Sequence, residues 1–333
     1  MSAGGPSSDR LREGPDGPTA VSSASTTGPI GRGRGTNEIR PGCHPLHRVQ
    51  GAMAAEFDRI AEVYDETRRA LDDDALGGIE EMLKEHGCRS VLEVGVGTGR
   101  VAVPLIGAGY EASGMDVSRG MMERARAKGV ANLFLADGMR APFRDGSFDA
   151  VMLVHVIHVL EDPLSVLREG ARVARSGVFA LVRMRPDRSL LSPMPWSAGA
   201  STAGDGPDDE AARRYLEERR ERFRKIAEKY GWRWDQQRRP RNWGAEREIL
   251  ERRPPDELRL VSDRVVAETV EERIARFQKG GYGFMAEMPA AMKQELIEEM
   301  RASAASLPEW ARRPRREAYQ LAMWRPATLL RAP

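Results

Sequence analysis

The sequence predicts a doubly wound α/β domain built on a parallel sheet. Three observations predict it: short apolar runs without polar alternation, their regular interleaving with helical stretches, and a glycine-rich turn, Gly95–Gly99, directly after the first run. Apolar runs of this kind suit strands buried on both faces, and strand–helix alternation makes neighbouring strands parallel.

Residues 1–42 are rich in Gly, Ser, Pro and Thr, and carry Arg-Gly-Arg-Gly at 32–35. Such a segment buries too little apolar surface to offset its chain entropy, so residues 1–50 are expected to be a disordered tail. Met53 opens the first ordered-looking stretch, which makes a gene start there an alternative to Met1. From 53 to 86 the periodicity turns helical, first through Phe57, Ile60, Ala61 and Tyr64, then through Leu76, Ile79, Met82 and Leu83, with Gly87 as a stop.

Strands are expected at Ser90–Val94, Tyr110–Met115, Ala131–Ala136, Phe148–Val154 and Val178–Val182. Helices are expected at about 98–107, 118–128 and 163–174, the second capped by Ser118 and ended by Gly129. Residues 51–183 thus form the core, and 184–333 change character. Residues 184–208 read as a long loop, and a charged helix follows at about 209–230 with Tyr215, Leu216, Phe223, Ile226 and Tyr230 on one stripe. Leu258–Thr269 reads as a strand, and Thr269-Val-Glu-Glu272 as a capping box that starts a helix ending at Gly280-Gly281. Met292, Leu296, Met300 and Ala304 mark another helix, and Ala318–Arg325 a last strand.

The 333 residues hold 52 basic and 50 acidic side chains, so no strong field of either sign surrounds the molecule. Cys43 and Cys88 make neither a disulfide framework nor a zinc site, and no metal site is expected. No apolar run approaches the roughly 18–20 residues that span a bilayer, and a cytoplasmic location is expected.

A strand that ends in a glycine-rich turn and feeds a helix is a general nucleotide-binding device, because the backbone approaches the ligand closely and the helix start offers free N–H groups. A dinucleotide fingerprint needs its third glycine at position 100, where Arg100 stands. The order here is Gly95-x-Gly97-x-Gly99, with Glu93 just before it. This arrangement resembles motif I of class I methyltransferases. Asp116 within Gly-Met-Asp-Val-Ser, Asp137 within Ala-Asp-Gly-Met, and Phe148-Asp-Ala-Val followed by Val-Ile-His158-Val-Leu-Glu-Asp162-Pro agree in order and spacing. Upstream, Phe57-Asp-Arg-Ile-Ala-Glu-Val-Tyr64-Asp65 resembles the lid helix of the ubiquinone and menaquinone biosynthesis methyltransferases, the type 11 group. The resemblance covers about residues 56–183.

It implies a seven-stranded Rossmann-like sheet, mostly parallel with the last strand antiparallel, and a helical C-terminal insertion. It implies S-adenosylmethionine as cofactor, with Asp116 on the ribose and Asp137 on the adenine. The implied cofactor-binding residues are Tyr64, Glu93, Gly95, Val96, Gly97, Thr98, Gly99, Asp116, Val117, Asp137, Gly138 and Met139. Any general base belongs near the C-terminal ends of strands 4 and 5, where His155 and His158 are the candidates.

The absence of Asp- or Asn-Pro-Pro-Tyr after the fourth strand argues against amide or adenine nitrogen as acceptor, and leaves a small molecule with an oxygen, nitrogen or activated carbon acceptor. Residues 211–241 hold 12 Arg/Lys against 5 Asp/Glu, so an RNA or protein methyltransferase is the alternative. A nicotinamide-dependent oxidoreductase and a non-catalytic cofactor-binding protein stand further back. Pairs such as Glu218 with Arg222 and Glu221 with Lys225 also suit a plain solvated helix face. Tyr282, Phe284 and Trp310 are candidates for a cap over the substrate.

Overall fold

In the computed structural model, the described residues are 51–183, 210–232, 244–267, 269–280, 285, 287–306 and 315–331. The expected tail, the 184–208 loop and the aromatics Tyr282, Phe284 and Trp310 lie outside them. Three helices come first: α1 (Ala52–Ile60), α2 (Tyr64–Thr67) and α3 (Asp73–Glu85). They are followed by β1 (Ser90–Val94), α4 (Ala102–Gly107), β2 (Glu111–Asp116), α5 (Arg119–Ala127), β3 (Leu133–Leu135) and β4 (Phe148–Val154). Then come α6 (Pro163–Val173), β5 (Ala174–Arg183), α7 (Glu210–Lys229), α8 (Ala245–Arg252) and β6 (Glu257–Val266). The last elements are α9 (Val270–Gln278), α10 (Ala290–Ala305), β7 (Arg315–Trp324) and α11 (Pro326–Leu330).

The seven strands form one sheet in the order β3-β2-β1-β4-β5-β7-β6. The first five pair in parallel, and β7 runs antiparallel between β5 and β6. Helices cover both faces, which explains the missing polar alternation. On one face Ile79 and Met82 of α3, Leu105 of α4 and Ala125 of α5 pack on Val91, Met152, Phe179 and Leu321. On the other, Leu167 and Val173 of α6, Ile249 of α8 and Leu329 of α11 pack on Leu92, Val151, Val178 and Trp324. Each fully buried side chain of that size contributes about 1.5–3 kcal/mol relative to exposure, so the two-sided core carries most of the stability.

The caps agree with the sequence reading. Ser118 accepts from the Met121 N–H at 3.1 Å and starts α5, and Thr269 and Glu272 complete the capping box of α9. Some boundaries differ. Helix α4 begins at Ala102 instead of 98, because Gly97 and Gly99 hold left-handed backbone that no right-handed helix accepts. Strand β5 begins at Ala174 with no loop after α6, since Ala174 itself turns to extended geometry. Helices α8 and α11 are too short to carry a clear periodic signal, and neither is anticipated from the sequence.

Helices α7, α9 and α10 build a third core of their own from Phe223, Ile226, Ile274, Phe277, Leu296 and Met300. This is the helical insertion, split between the β5–β6 and β6–β7 connections. The Glu221–Lys225 pair forms at 4.0 Å, whereas Arg222 turns to Glu299 of α10 at 2.6 Å. Lys229 likewise joins Glu295 of α10 at 2.8 Å. Basic side chains of α7 thus serve to bind its neighbour helix.

Candidate functional site

The carboxyl ends of β1, β2 and β4 open into a cleft of about 960 Å³, mouth included. Gly95, Gly97 and Gly99 turn the chain out of β1 with φ of 75°, 54° and 80°. A side chain at Gly95 is barred twice, by that backbone and by Val156, whose Cγ2 would lie 2.7 Å from a Cβ. The turn therefore leaves its backbone open to the cleft.

Asp116 ends β2 at the foot of the cleft. Its Oδ2 accepts from the Gly97 N–H and its Oδ1 from the Ser118 N–H, both at 2.8 Å. Burial raises its pKa, and these backbone donors pull it partly back. Glu93 lies beneath the turn, 3% exposed, and accepts from the Ala102 N–H at 2.9 Å. Burial pushes its carboxyl up to about 8, opposed by the Ala102 N–H and reinforced by the negative charge of Asp116. At neutral pH Glu93 is therefore mainly a neutral acid that pins the start of α4.

Asp137 follows β3 and accepts from the Met139 N–H at 2.9 Å, an Asx turn that aims the chain across the cleft. Apolar wall is supplied by Met115, Val117, Ala136 and Leu160. Above them lie the first two helices, tied to the glycine turn and α5 by two carboxylates. Asp65 accepts from Thr98 Oγ1 at 2.6 Å and pairs with Lys128, and Asp58 accepts from Ser118 Oγ at 2.6 Å and the Gly120 N–H at 2.8 Å. Tyr64 lines the cleft from this lid, edge-on to Phe57, with the Arg68 guanidinium 5.2 Å from its ring centroid.

His155 follows β4 and lines the cleft. It is the sole non-glycine residue with positive φ, 54°, among the described residues. Backbone of this kind persists only where the surroundings impose it, and it turns the imidazole toward the cleft wall. Burial drives its pKa down to about 3, helped by the positive charges of Arg183 and Arg100 and opposed by Asp72. The ring is neutral across the working pH range and is a weak base.

Of the residues expected to form the site, Tyr64, Glu93, Gly95, Val96, Gly97, Thr98, Asp116, Val117, Asp137, Gly138 and His155 all line this one cleft. Gly99, Met139 and His158 are not among its lining residues. A Cβ at Gly99 would meet Val130, Val103 and Ala125 at 3.1–3.3 Å, so this glycine serves the packing of the turn onto α5. Met139 is 40% exposed. His158 sits in a 3-10 turn with Nδ1 3.9 Å from Glu246 Oε1 of α8. Sequence reasoning missed Arg100, a cleft residue read only as a break in a dinucleotide pattern. It also missed Glu246, because a single acid in a charged helix carries no signal of its own. No group of three or more metal-ligating side chains occurs among the described residues.

A family model described as a methyltransferase domain matches residues 92–182, which hold the glycine turn, Asp116, Asp137 and His155. An uncharacterized protein of Methanocaldococcus jannaschii is 31% identical over 141 residues, 41% of this chain and 65% of that one. A demethylmenaquinone methyltransferase of Mycolicibacterium vanbaalenii is 34% identical over 139 residues, 40% of this chain and 59% of the other. A phosphatidylethanolamine N-methyltransferase of Cereibacter sphaeroides is 32% identical over 136 residues, 37% and 66% respectively. The chain spans about three fifths to two thirds of the length of these curated relatives. The glycine turn, the cleft-lining Asp116 and the family match agree: residues 92–182 match a methyltransferase domain and carry the motifs of a class I S-adenosylmethionine-dependent methyltransferase.

Proposed function

We propose that the protein transfers a methyl group from S-adenosylmethionine to a small-molecule acceptor at oxygen, nitrogen or activated carbon. The observation that carries this reading is the single cleft shared by the glycine turn, Asp116, Asp137 and His155. The residues present fit the cofactor. The ribose hydroxyls have the Asp116 carboxylate, the adenine has Asp137 with Met115, Val117 and Ala136 beside it, and a carboxylate near the turn has Arg100.

When bound, S-adenosylmethionine supplies an electrophilic methyl group on a sulfonium, open to in-line displacement. The protein's part is alignment and exclusion of water. Glu93, neutral and buried, fixes the helix start below the turn. Tyr64 and Phe57 close the cleft from the lid, which Asp58 and Asp65 hold down. His155 is kept neutral, so its nitrogen lone pair orients an acceptor O–H or N–H instead of storing a proton. His158 supports the turn after β4 through Glu246. Acceptors of low pKa suit such a site, because a weak base gives little help in deprotonation. The ion pairs of α7 with α10 favour the small-molecule reading over nucleic acid, since they occupy basic groups that a phosphate backbone would need.

Thermal-shift titration with S-adenosylmethionine, S-adenosylhomocysteine and NAD tests the reading. Both adenosyl ligands are expected to stabilise the chain, and Asp116→Ala to abolish the shift. Stabilisation by NAD alone refutes it.

A further inference from the structure

We propose that the sheet edge formed by the carboxyl halves of β5 and β6 and the amino half of β7 holds a subsite for a carboxylate carried by the methyl acceptor, with Arg183 as its cation and Tyr319 and Ser262 as hydroxyl partners. The proposal rests on the methyl-transfer reading above and names the substrate class it leaves open.

Arg183 ends β5 and pairs with Tyr319 of β7, which pairs in turn with Ser262 of β6. The three side chains form one row across three strands. The register shifts between Leu260 and Ser262, and this bulge places both Val261 and Ser262 inside, Ser262 at 4% exposure. Bulges commonly re-aim a side chain beside a functional site. The row abuts the cleft, because the Tyr319 ring stands edge-on to His155 with centroids 5.3 Å apart.

Arg183 is the odd member of its surroundings. Its guanidinium makes one hydrogen bond, Nη2 to Tyr319 Oη at 3.2 Å, and no ion pair among the described residues. Its Nε is buried without a partner, and so is Ser262 Oγ. In the next row Arg264 has two carboxylates, Glu317 at 3.2 Å and Asp72 at 3.4 Å. Glu246 accepts from the Arg183 backbone N–H at 2.9 Å, not from its guanidinium. A shielded cation with an idle donor, in one row with an idle hydroxyl on the far side of Tyr319, calls for an anion to complete it. The guanidinium fork matches a carboxylate in shape. One such cation, already near Glu246 and Glu317, balances a monoanion better than a phosphate dianion. An acceptor anchored there presents its remaining atoms to His155 and the cleft.

The test uses the full chain saturated with S-adenosylhomocysteine, with melting temperature followed against sodium benzoate, benzamide and inorganic phosphate. Benzoate is expected to bind roughly tenfold or more tightly than benzamide, as a charge-assisted pair provides, and more tightly than phosphate. Arg183→Met is expected to erase the preference for benzoate while the S-adenosylhomocysteine shift remains. Tyr319→Phe, which keeps the ring against His155, is expected to weaken benzoate several-fold and stands in if Arg183→Met does not fold. Equal shifts from benzoate and benzamide, no shift from either, a stronger effect of phosphate, or a preference that survives these substitutions overturns the proposal. In all those outcomes an intact S-adenosylhomocysteine shift leaves the methyl-transfer reading standing, and its loss in the unmodified chain refutes that reading instead.

Discussion

Replacing Glu93 by Gln is expected to flatten the fall of stability between about pH 4.5 and pH 8. The Glu93 carboxyl is pushed from its ordinary 4.5 to about 8, chiefly by burial. Between those values the folded chain keeps a proton that the unfolded chain releases, so unfolding gains ground as pH rises. The favourable contribution is whole below about pH 4.5 and is lost as pH climbs through 8. Between pH 5 and pH 8 the loss from this group amounts to about 3 kcal/mol. Gln has the shape of the protonated acid and still accepts the Ala102 N–H, so it removes the titration with little change in packing. Urea unfolding of both proteins at half-unit steps from pH 5 to 8.5 measures the difference, in which titrating groups not coupled to Glu93 cancel. Parallel stability curves, agreeing to about 0.5 kcal/mol after an offset, would refute the claim that Glu93 is folded in as a neutral acid.

His155 should stay neutral in NMR titrations down to about pH 4, given a pKa near 3, and Arg183→Met should move its titration upward by removing a neighbouring positive charge. A normal midpoint near 6.5 rules out the buried, electropositive site described for it. Gly99→Ala places a methyl group at φ 80° against Val130 and Ala125, and is expected to cost ~1–2 kcal/mol in chemical denaturation. Thr269→Ala removes one arm of the α9 capping box and should cost about 1 kcal/mol, with Thr269→Ser restoring most of it. Asp65→Ala frees Thr98 and Lys128 from the lid, and hydrogen exchange of residues 52–67 is expected to rise while that of β1 and β4 does not.

The centre of the fold was legible because β4 and the later half of β5 are buried on both faces and read as apolar runs. β4 matches its expected bounds, Phe148–Val154, to the residue. The convergence of the glycine turn and the strand-end acids on one cleft was equally legible, since these parts are local. The proposed carboxylate subsite was not. Arg183, Tyr319 and Ser262 lie on three strands and meet only through sheet register, which no local pattern encodes. His158 was expected beside His155 from its place near the end of the fourth strand; the 3-10 turn that holds it sets it against Glu246 of α8. The short helix α8 offered eight residues of mostly charged sequence, too few for periodicity to separate its buried Ile249 from chance.

The placement of β7 between β5 and β6 has a consequence for how the chain is made. Of the described strands it is the last in sequence, yet it occupies an interior position of the sheet. Until Arg315–Trp324 has been synthesised, β5 presents a bare apolar edge and β6 has no partner in the sheet. At about 5–20 residues per second, the stretch from the end of β5 to the end of β7 keeps that edge open for roughly 7 to 28 seconds. Open edges of this kind recruit other chains. The helical insertion, with a core of its own, is thus laid down during the interval of greatest exposure, and the final strand closes the sheet as a latch.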